Sequence, residues 1–455
     1  MSEEWLEAAA FANVFLSAES LFSTDLGGNF LAAVGEIRFD GGVDLALDGT
    51  LSLNAANIAG GAGDVALSAH YLSIGHVNPR AQNIGDAANA RTGSFSAVAD
   101  LIDVTGFSRI SGFETVTLDS AGDIRLVGFQ PQTAGGRGAL TGSNRTVVGS
   151  LTTSADLSMT AQQVYPTTLT DFSLNVDRLD GRFSVAGRSG TASDVLSAGG
   201  RLTINASDIN STGVLRAPFG EIELNADSVT LADGSVTSTS LNGQIVPFGS
   251  LQAGFDWTYS LAANQTLVFD GEVNTLPSPS VRISADNIDL AGGAEIDISS
   301  GGDLLASEFV TGIGGTDDYL SPEVTPGLFA ILPGLNLPYA PIDPQIANEG
   351  ETGLSVGDTV SLSGIGNLPA GTYTLLPARY ALVPGAVLVR PVDGYTDILP
   401  EQQFVSTEGG VIIAGRSGNR AGRLDSRSSG FEILPQSQAF AEASYTLGAA
   451  TEFFA

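Results

Sequence analysis

The sequence predicts an all-β fold built from short strands stacked on one another, a β-solenoid. Two observations carry that prediction. An eight-residue pattern recurs: apolar, any, apolar, any, Ala, any, any, apolar. It reads LSLNAANI at 51–58, VALSAHYL at 65–72, LSMTAQQV at 157–164, LTINASDI at 202–209, IELNADSV at 222–229 and VRISADNI at 281–288. Alternation with a period of two marks a strand with one buried face. Secondly, two copies start at Leu202 and Ile222, 20 residues apart, which is the unit length of stacked repeat architectures. A strand of four to six residues cannot bury its face alone, and stacked neighbours can. At about 20 residues per coil, positions 40–305 would give about 13 coils and a rod of about 60 Å.

The elements follow in chain order. Residues 1–318 are expected to form the repeats. Gly-Asp, Gly-Glu and Gly-Arg pairs precede several strands, as in GDVAL, GDIRL, GRLTI and GEIEL. Glycine suits a corner there, where a positive φ is often needed. Ala after the second apolar position leaves room for the bend, and the Asn, Asp and Ser residues suit turns. The spacing of 14 between the copies at 51 and 65 is too short for a coil and reads as two strands of the same one. Gly-rich segments 76–94 and 129–149 read as loops leaving the stack. Residues 319–353 are Pro-rich and read as a linker. A small β-insert follows at 354–392, with strands at Thr359–Leu362, Thr372–Leu376 and Ala386–Arg390. Residues 393–455, with GGVIIAGRSG, read as a return to solenoid-like coils. One or two antiparallel sandwiches are the competing architecture, since Asp48-Gly49, Asp233-Gly234 and Asn242-Gly243 also suit hairpins.

Composition removes much chemistry. The formal net charge is −31, and all 19 basic residues are Arg. Such a chain repels phosphate backbones, so no nucleic-acid partner is expected. Without Cys there is no thiol nucleophile, disulfide or thiolate metal site. Without Lys there is no P-loop or Schiff-base lysine. The chain shows no basic n-region of a signal peptide and no run of about 20 apolar residues that would span a membrane.

Candidate residues are few. Ser355 sits in GLSVG, a GxSxG match that lacks the strand–helix context of a nucleophile elbow and a later His. Asp64 follows Gly63 in GGAGD directly, which departs from the spacing of a calcium repeat. Asp317 and Asp318 read as surface carboxylates, and Asp233, Asp286 and Asp289 as turn caps. Glu221 and Glu223 straddle Ile222 and point outward together. A sugar-cleaving site would need a further acid on the next coil, but the matching positions one repeat earlier are Arg201 and Thr203. His70 and His76 read as surface histidines. Trp257 and Tyr259 in FDWTYS are the possible ligand-contact pair, either stacking on a carbohydrate or padding the core. No catalytic, cofactor-binding or metal-ligating set is expected.

Three stretches carry a family resemblance: INASDI…ELNADSV, GVLRAPFGEIELNADSVTLADGSVTSTSLNGQIVPFG at 213–249, and GDTVSLSGIGNLPAGTYTLLPARYALVPGAVLV at 357–389. Together they resemble the large filamentous-haemagglutinin-like exoproteins of Gram-negative bacteria. The resemblance implies a right-handed parallel β-helix, exported by two-partner secretion through an outer-membrane partner and secreted or held at the cell surface. It implies a non-enzymatic adhesive or spacer role toward an unidentified glycan or protein receptor, or carriage of a toxic tail in competition between bacteria. This chain shows no recognisable secretion domain and no toxin-like end. A β-helical polysaccharide-active enzyme using surface carboxylates is the alternative expectation.

Overall fold

A computed structural model describes residues 12–18, 21–24, 30–33, 35–76, 91–129, 147–190, 192–252, 256–262, 265–269, 279–299, 301–310, 317–322, 324–334, 354–419, 422–437 and 444–449. The chain is all-β and dominated by one 23-stranded sheet whose pairings are parallel throughout. This is the pattern expected of a β-solenoid, and not that of an antiparallel sandwich.

The register sorts these strands into three sets, met in fixed order along the chain. The first set aligns Ile37, Ile58, Ile110, Thr153 and Val176, and two residues earlier in the same strands it aligns Leu151, Leu174, Ile204, Leu224 and Ile283. The second aligns Val43, Val65, Phe95, Val116, Leu157, Phe183, Ile209, Val229 and Ile288. The third aligns Val14, Leu51, Leu72, Ile102, Ile124, Val164, Leu215, Thr237 and Ile296. Where nothing intervenes, the chain returns to the same set after 20 to 22 residues, as from Leu202 to Ile222 or Val43 to Val65. Most of the apolar residues named in the sets turn inward and form one continuous core from Val14 to Leu231, with Ile37, Val43 and Ile283 packed against it, while Ile288 and Ile296 on the last coil are exposed.

The second set holds nine strands, so the described stack has nine coils rather than the 13 expected, and is about 40 Å long at the spacing of neighbouring strands. Excursions account for the difference. Ile222 pairs directly with Val281, 59 residues on; that spacing is one coil plus an excursion, not several coils. The excursion includes strands at Ile245–Gln252, Asp256–Ala262 and Gln265–Phe269. Most of the two predicted loops, 77–90 and 130–146, lies outside the described residues.

The recurring pattern marks a corner between two faces, and not always the same corner. In 202–209, Leu202 and Ile204 belong to the first set and Ile209 to the second. In 51–58, Leu51 and Leu53 belong to the third and Ile58 to the first. The copies at 51 and 65 are two corners of one coil, with the first-to-second corner between Ile58 and Val65 lying between them, and that coil runs from Leu51 to Leu72. The corner alanines Ala206, Ala226 and Ala285 pack against the core.

Of the corner glycines, Gly63 before Asp64 takes the positive φ expected, at 132°, whereas others serve for a different reason. Gly200 and Gly220 are not among the positive-φ residues, whereas Gly199 is, at 74°. What Gly220 supplies is space: a Cβ there would stand 1.9 Å from the Gly200 carbonyl oxygen. Its lack of a side chain lets two backbones approach at sheet spacing.

Polar side chains also stack at the corner. The Asn205 Nδ2 donates to the Asn175 Oδ1 at 2.7 Å, and the Asn225 Nδ2 donates to the Asn205 Oδ1 at 3.0 Å. Asn175 in turn donates to the Thr152 hydroxyl at 3.4 Å. This ladder fixes register between coils as amide ladders do in cross-β stacks. Asn205→Ala removes one donated and one accepted bond in a part-buried position. It is expected to cost about 1–3 kcal/mol, read as a lowered urea midpoint, with Asn225→Ala costing less because it ends the run of asparagines.

A second unit follows the stack. Eight strands, Phe329–Ile331, Thr359–Leu362, Gly371–Thr374, Leu376–Pro377, Val387–Thr396, Gln403–Val405, Val411–Gly418 and Ser429–Pro435, form an antiparallel sheet. The expected boundaries shift accordingly. Phe329–Ile331, inside the presumed linker, pairs with Val387–Val389. Val411–Gly418, read from sequence as solenoid-like, pairs antiparallel with Thr359–Leu362 and Ser429–Pro435. Two consecutive solenoid-like strands and one hairpin partner share the same alternation, so the alternation alone could not distinguish them. The core of this unit is continuous with buried residues on the flank of the stack, including Leu196, Phe219, Leu241 and Leu304.

Candidate functional site

The outward positions of the three sets differ in character. On the first set they form charge ladders: Glu221 lies in register with Arg201, and Arg201 with Asp171. The Arg201 Nε donates to the Glu221 Oε2 at 2.6 Å, and Arg282 stands 3.7 Å from Glu223. The two glutamates thus stack against arginines of neighbouring coils. The paired carboxylates that glycoside cleavage needs, sharing one groove, are not what they form. Because both partners reach solvent, Glu221→Gln is expected to cost under about 1 kcal/mol, and less at high salt, measured as a midpoint shift at two ionic strengths.

The third set is unusual, because three successive outward positions in it are buried. Asp103, Arg125 and Tyr165 lie in register on successive coils, and all three are buried. Arg125 grips Asp103 with two parallel bonds, Nε to Oδ1 at 2.6 Å and Nη2 to Oδ2 at 2.8 Å. The Tyr71 hydroxyl donates to the same Oδ2 at 2.6 Å. Burial opposes the charge on Arg125, but the Asp103 carboxylate outweighs it and raises the guanidinium pKa.

Two residues before Arg125 and Tyr165, just ahead of their strands, stand Asp123 and Gln163, both fully buried. The Gln163 Nε2 donates to the Asp123 Oδ2 at 3.2 Å and to the Ser193 carbonyl at 2.9 Å. That second bond ties the irregular segment around Ser193 over this face. Burial pushes the Asp123 carboxyl up to about 7, against the bond from Gln163 and the charge of Arg125. A raised carboxyl is a frequent mark of a general acid. With none of its surface exposed, Asp123 cannot reach a substrate, so its place is in the architecture of the face.

Beyond the Ser193 segment the face opens into a shallow polar cleft. Ser193, Asp194, Arg216, Ser240 and Asn242 line it, with Val195, Pro218 and Leu241 as its apolar part. Burial lowers the pKa of Arg216 and raises that of Asp194.

The other sequence candidates fall elsewhere. The Ser355 amide donates to the Asp358 Oδ2 at 2.8 Å in a turn leading into the strand Thr359–Leu362. A strand, not a helix, follows it, so no nucleophile elbow forms. The Asp64 Oδ1 accepts from the amide and hydroxyl of Ser94, capping the next coil. The Asp318 Oδ1 caps the Leu320 amide at 2.9 Å. The His70 Nδ1 lies 2.5 Å from the Asp100 Oδ2, whereas His76 is buried rather than at the surface. Among the described residues no three His, Cys, Asp or Glu side chains gather as a metal site. Trp257 and Tyr259 lie two apart on the strand Asp256–Ala262, opposite Phe269 and Leu267 respectively; their side chains lie outside the described residues.

Sequence reasoning passed over the buried face. Asp123 and Arg125 flank Ile124 in GDIRL just as Glu221 and Glu223 flank Ile222 in GEIEL. The two strands read alike, yet the first lies in the third set with its polar residues buried and the second in the first set with its glutamates reaching solvent. No protein-family model, curated protein or solved structure matches the chain. Among the described residues no helix is long and apolar enough to cross a membrane.

Proposed function

We propose that the chain is a right-handed parallel β-helical section of a large secreted or surface-exposed exoprotein of the filamentous-haemagglutinin type, serving adhesion or acting as a spacer rod. The observation that carries this proposal is the register: three strand sets pair in parallel along the stack over one apolar core. A surface made of ladders and loops works by length and contact, not by a buried reaction centre. Local contacts between neighbouring coils suit folding that starts at one end and propagates, as export through an outer-membrane partner requires. The high negative charge favours a soluble unfolded passenger. The receptor, glycan or protein, is to be sought on host or bacterial surfaces.

The test is the mass and location of the native polypeptide, probed with an antibody on intact cells and in culture fluid. A species far larger than 46.5 kDa at the surface or in the medium is the expected result. A species near that mass confined to the cell interior would overturn the proposal.

A further inference from the structure

The two ends of the stack differ. At the first coil Val14, Leu45 and Leu47 are buried, and Ile37, Phe39 and Val43 pack against the core. At the last coil, residues 280–297, the inward positions stand open. Ile288 is 49% exposed, Leu290 50%, Ile296 41% and the adjoining Ile298 59%. Val229, Leu231 and Thr237, the register partners of the first three on the coil before, are fully buried. Among the described residues, the strands Ser280–Ser284, Asn287–Leu290 and Glu295–Asp297 pair only with the strands of that earlier coil. The next strand, Asp303–Val310, leaves the stack and pairs with Ile245–Gln252 and Ser444–Ala449. Three strand edges and four apolar side chains thus meet solvent together. An open edge is a template for another chain, and apolar side chains grouped on it mark an interaction surface.

We propose that this open coil docks on the same coil of a second copy, joining two stacks tail to tail about a two-fold axis. The first coil is covered, so the ends do not offer a head-to-tail filament. The new contact continues the coil-to-coil interface of the stack, since Val281, Ile283, Ala285 and Ala294 already extend its core to this end. Residues 280–299 supply the roughly 20 residues a side of a standard interface. Charge selects the axis. A two-fold across the end sets one strand set against itself and the other two against each other, all antiparallel. Like charges directly opposite are destabilising. Arg282, on the first set, is the one basic residue of the coil; Asp289 lies on the second, and Glu295 and Asp297 on the third. With the first set on the axis, Arg282 would face its own copy, and Asp289 would face acids. With the third set there, Glu295 would face Asp297 of the partner subunit. With the second set there, Arg282 faces Glu295 and Asp297 of the partner subunit. Ile288 then meets its own copy on the axis, and Asn287 stands opposite Asp289 of the partner subunit. Arg282 is placed to reach across: its side chain is largely exposed, and its ion pair with Glu223 is loose at 3.7 Å.

The experiment is sedimentation equilibrium of the purified full chain over a wide range of concentration, at moderate salt so that repulsion between two acidic chains is screened. A monomer–dimer equilibrium reaching twice 46.5 kDa is the expected result. Ile288→Lys places a charge on the axis at an exposed position, so it should abolish the dimer while the thermal midpoint holds. Arg282→Glu should weaken self-association about tenfold or more. The double variant Arg282→Glu, Glu295→Arg reverses the sign of the attraction across the axis and should restore the dimer, which a fault in folding would not. A chain monomeric at every concentration would leave the open end to another protein and overturn the proposal. A series of species growing beyond the dimer would mean open-ended joining, and a dimer indifferent to Ile288→Lys and Arg282→Glu would lie on another surface; either result overturns it as well. The measurement is made on the isolated chain, so its outcome is independent of where the parent protein resides.

Discussion

Arg125→Met is expected to lower the stability of the chain by about 3–5 kcal/mol, the cost of stranding a buried charge. The side chains of Arg125 and Asp103 are 4% and 1% exposed. Their attraction offsets a desolvation cost of several kcal/mol per ion only while both are present. Methionine keeps much of the arginine's volume and removes its charge, leaving the Asp103 carboxylate in the interior with the Tyr71 hydroxyl as a remaining donor. The triple variant Tyr71→Phe, Asp103→Leu, Arg125→Met removes the charge and both of its donors together. It should recover most of the loss, because an apolar replacement of a buried pair is often neutral or stabilising. Urea unfolding followed by far-ultraviolet circular dichroism reads both variants. A triple variant no more stable than Arg125→Met would show that the cost lies in packing and not in the stranded charge.

The inner side of the stack was legible in the sequence, and the outer side was not. Inward positions such as Leu202, Ile204 and Ile209 obey the period of two, and the step to Ile222, Leu224 and Val229 is a direct register partner. Such positions have one task, apolar contact, and one spelling. Coil count failed, because an excursion between Leu231 and Val281 has the same Gly- and Ser-rich text as a corner. The second unit failed in part for a related reason. Val411–Gly418 alternates as a stacked strand does, and its antiparallel partners lie 49 or more residues upstream and 11 or more downstream. Outward residues depend on what covers them. Arg201 stands in an exposed ladder and Arg125 in a buried one, yet both sit beside an apolar residue in a strand after a Gly-containing corner. The segment around Ser193, which bonds Gln163 on the next coil of this face, has no strand pattern to read.

Asp123→Asn is expected to stabilise the chain at pH 8 and to flatten its pH dependence. In the folded chain the Asp123 carboxyl titrates at about 7, against 3.8 when unfolded. Between those values the native state holds a proton that the unfolded state has released, so stability falls as pH rises. The contribution is fully present below pH 3.8 and is lost as pH passes through 7. Over that window the group alone accounts for roughly 4–5 kcal/mol, at about 1.4 kcal/mol per unit. Asparagine has no charge to bury. Its carbonyl can accept the Gln163 bond, and its Nδ2 replaces the Asp123 Oδ1, a buried oxygen with no hydrogen-bond partner among the described residues. Carboxylates held below their usual range, such as Asp297, act in the opposite sense in both proteins, so the difference between wild type and variant isolates Asp123. Urea midpoints at pH 4.5, 6 and 8 give that difference. It should grow steadily toward pH 8 in favour of the variant, and parallel curves would mean that Asp123 carries its charge throughout.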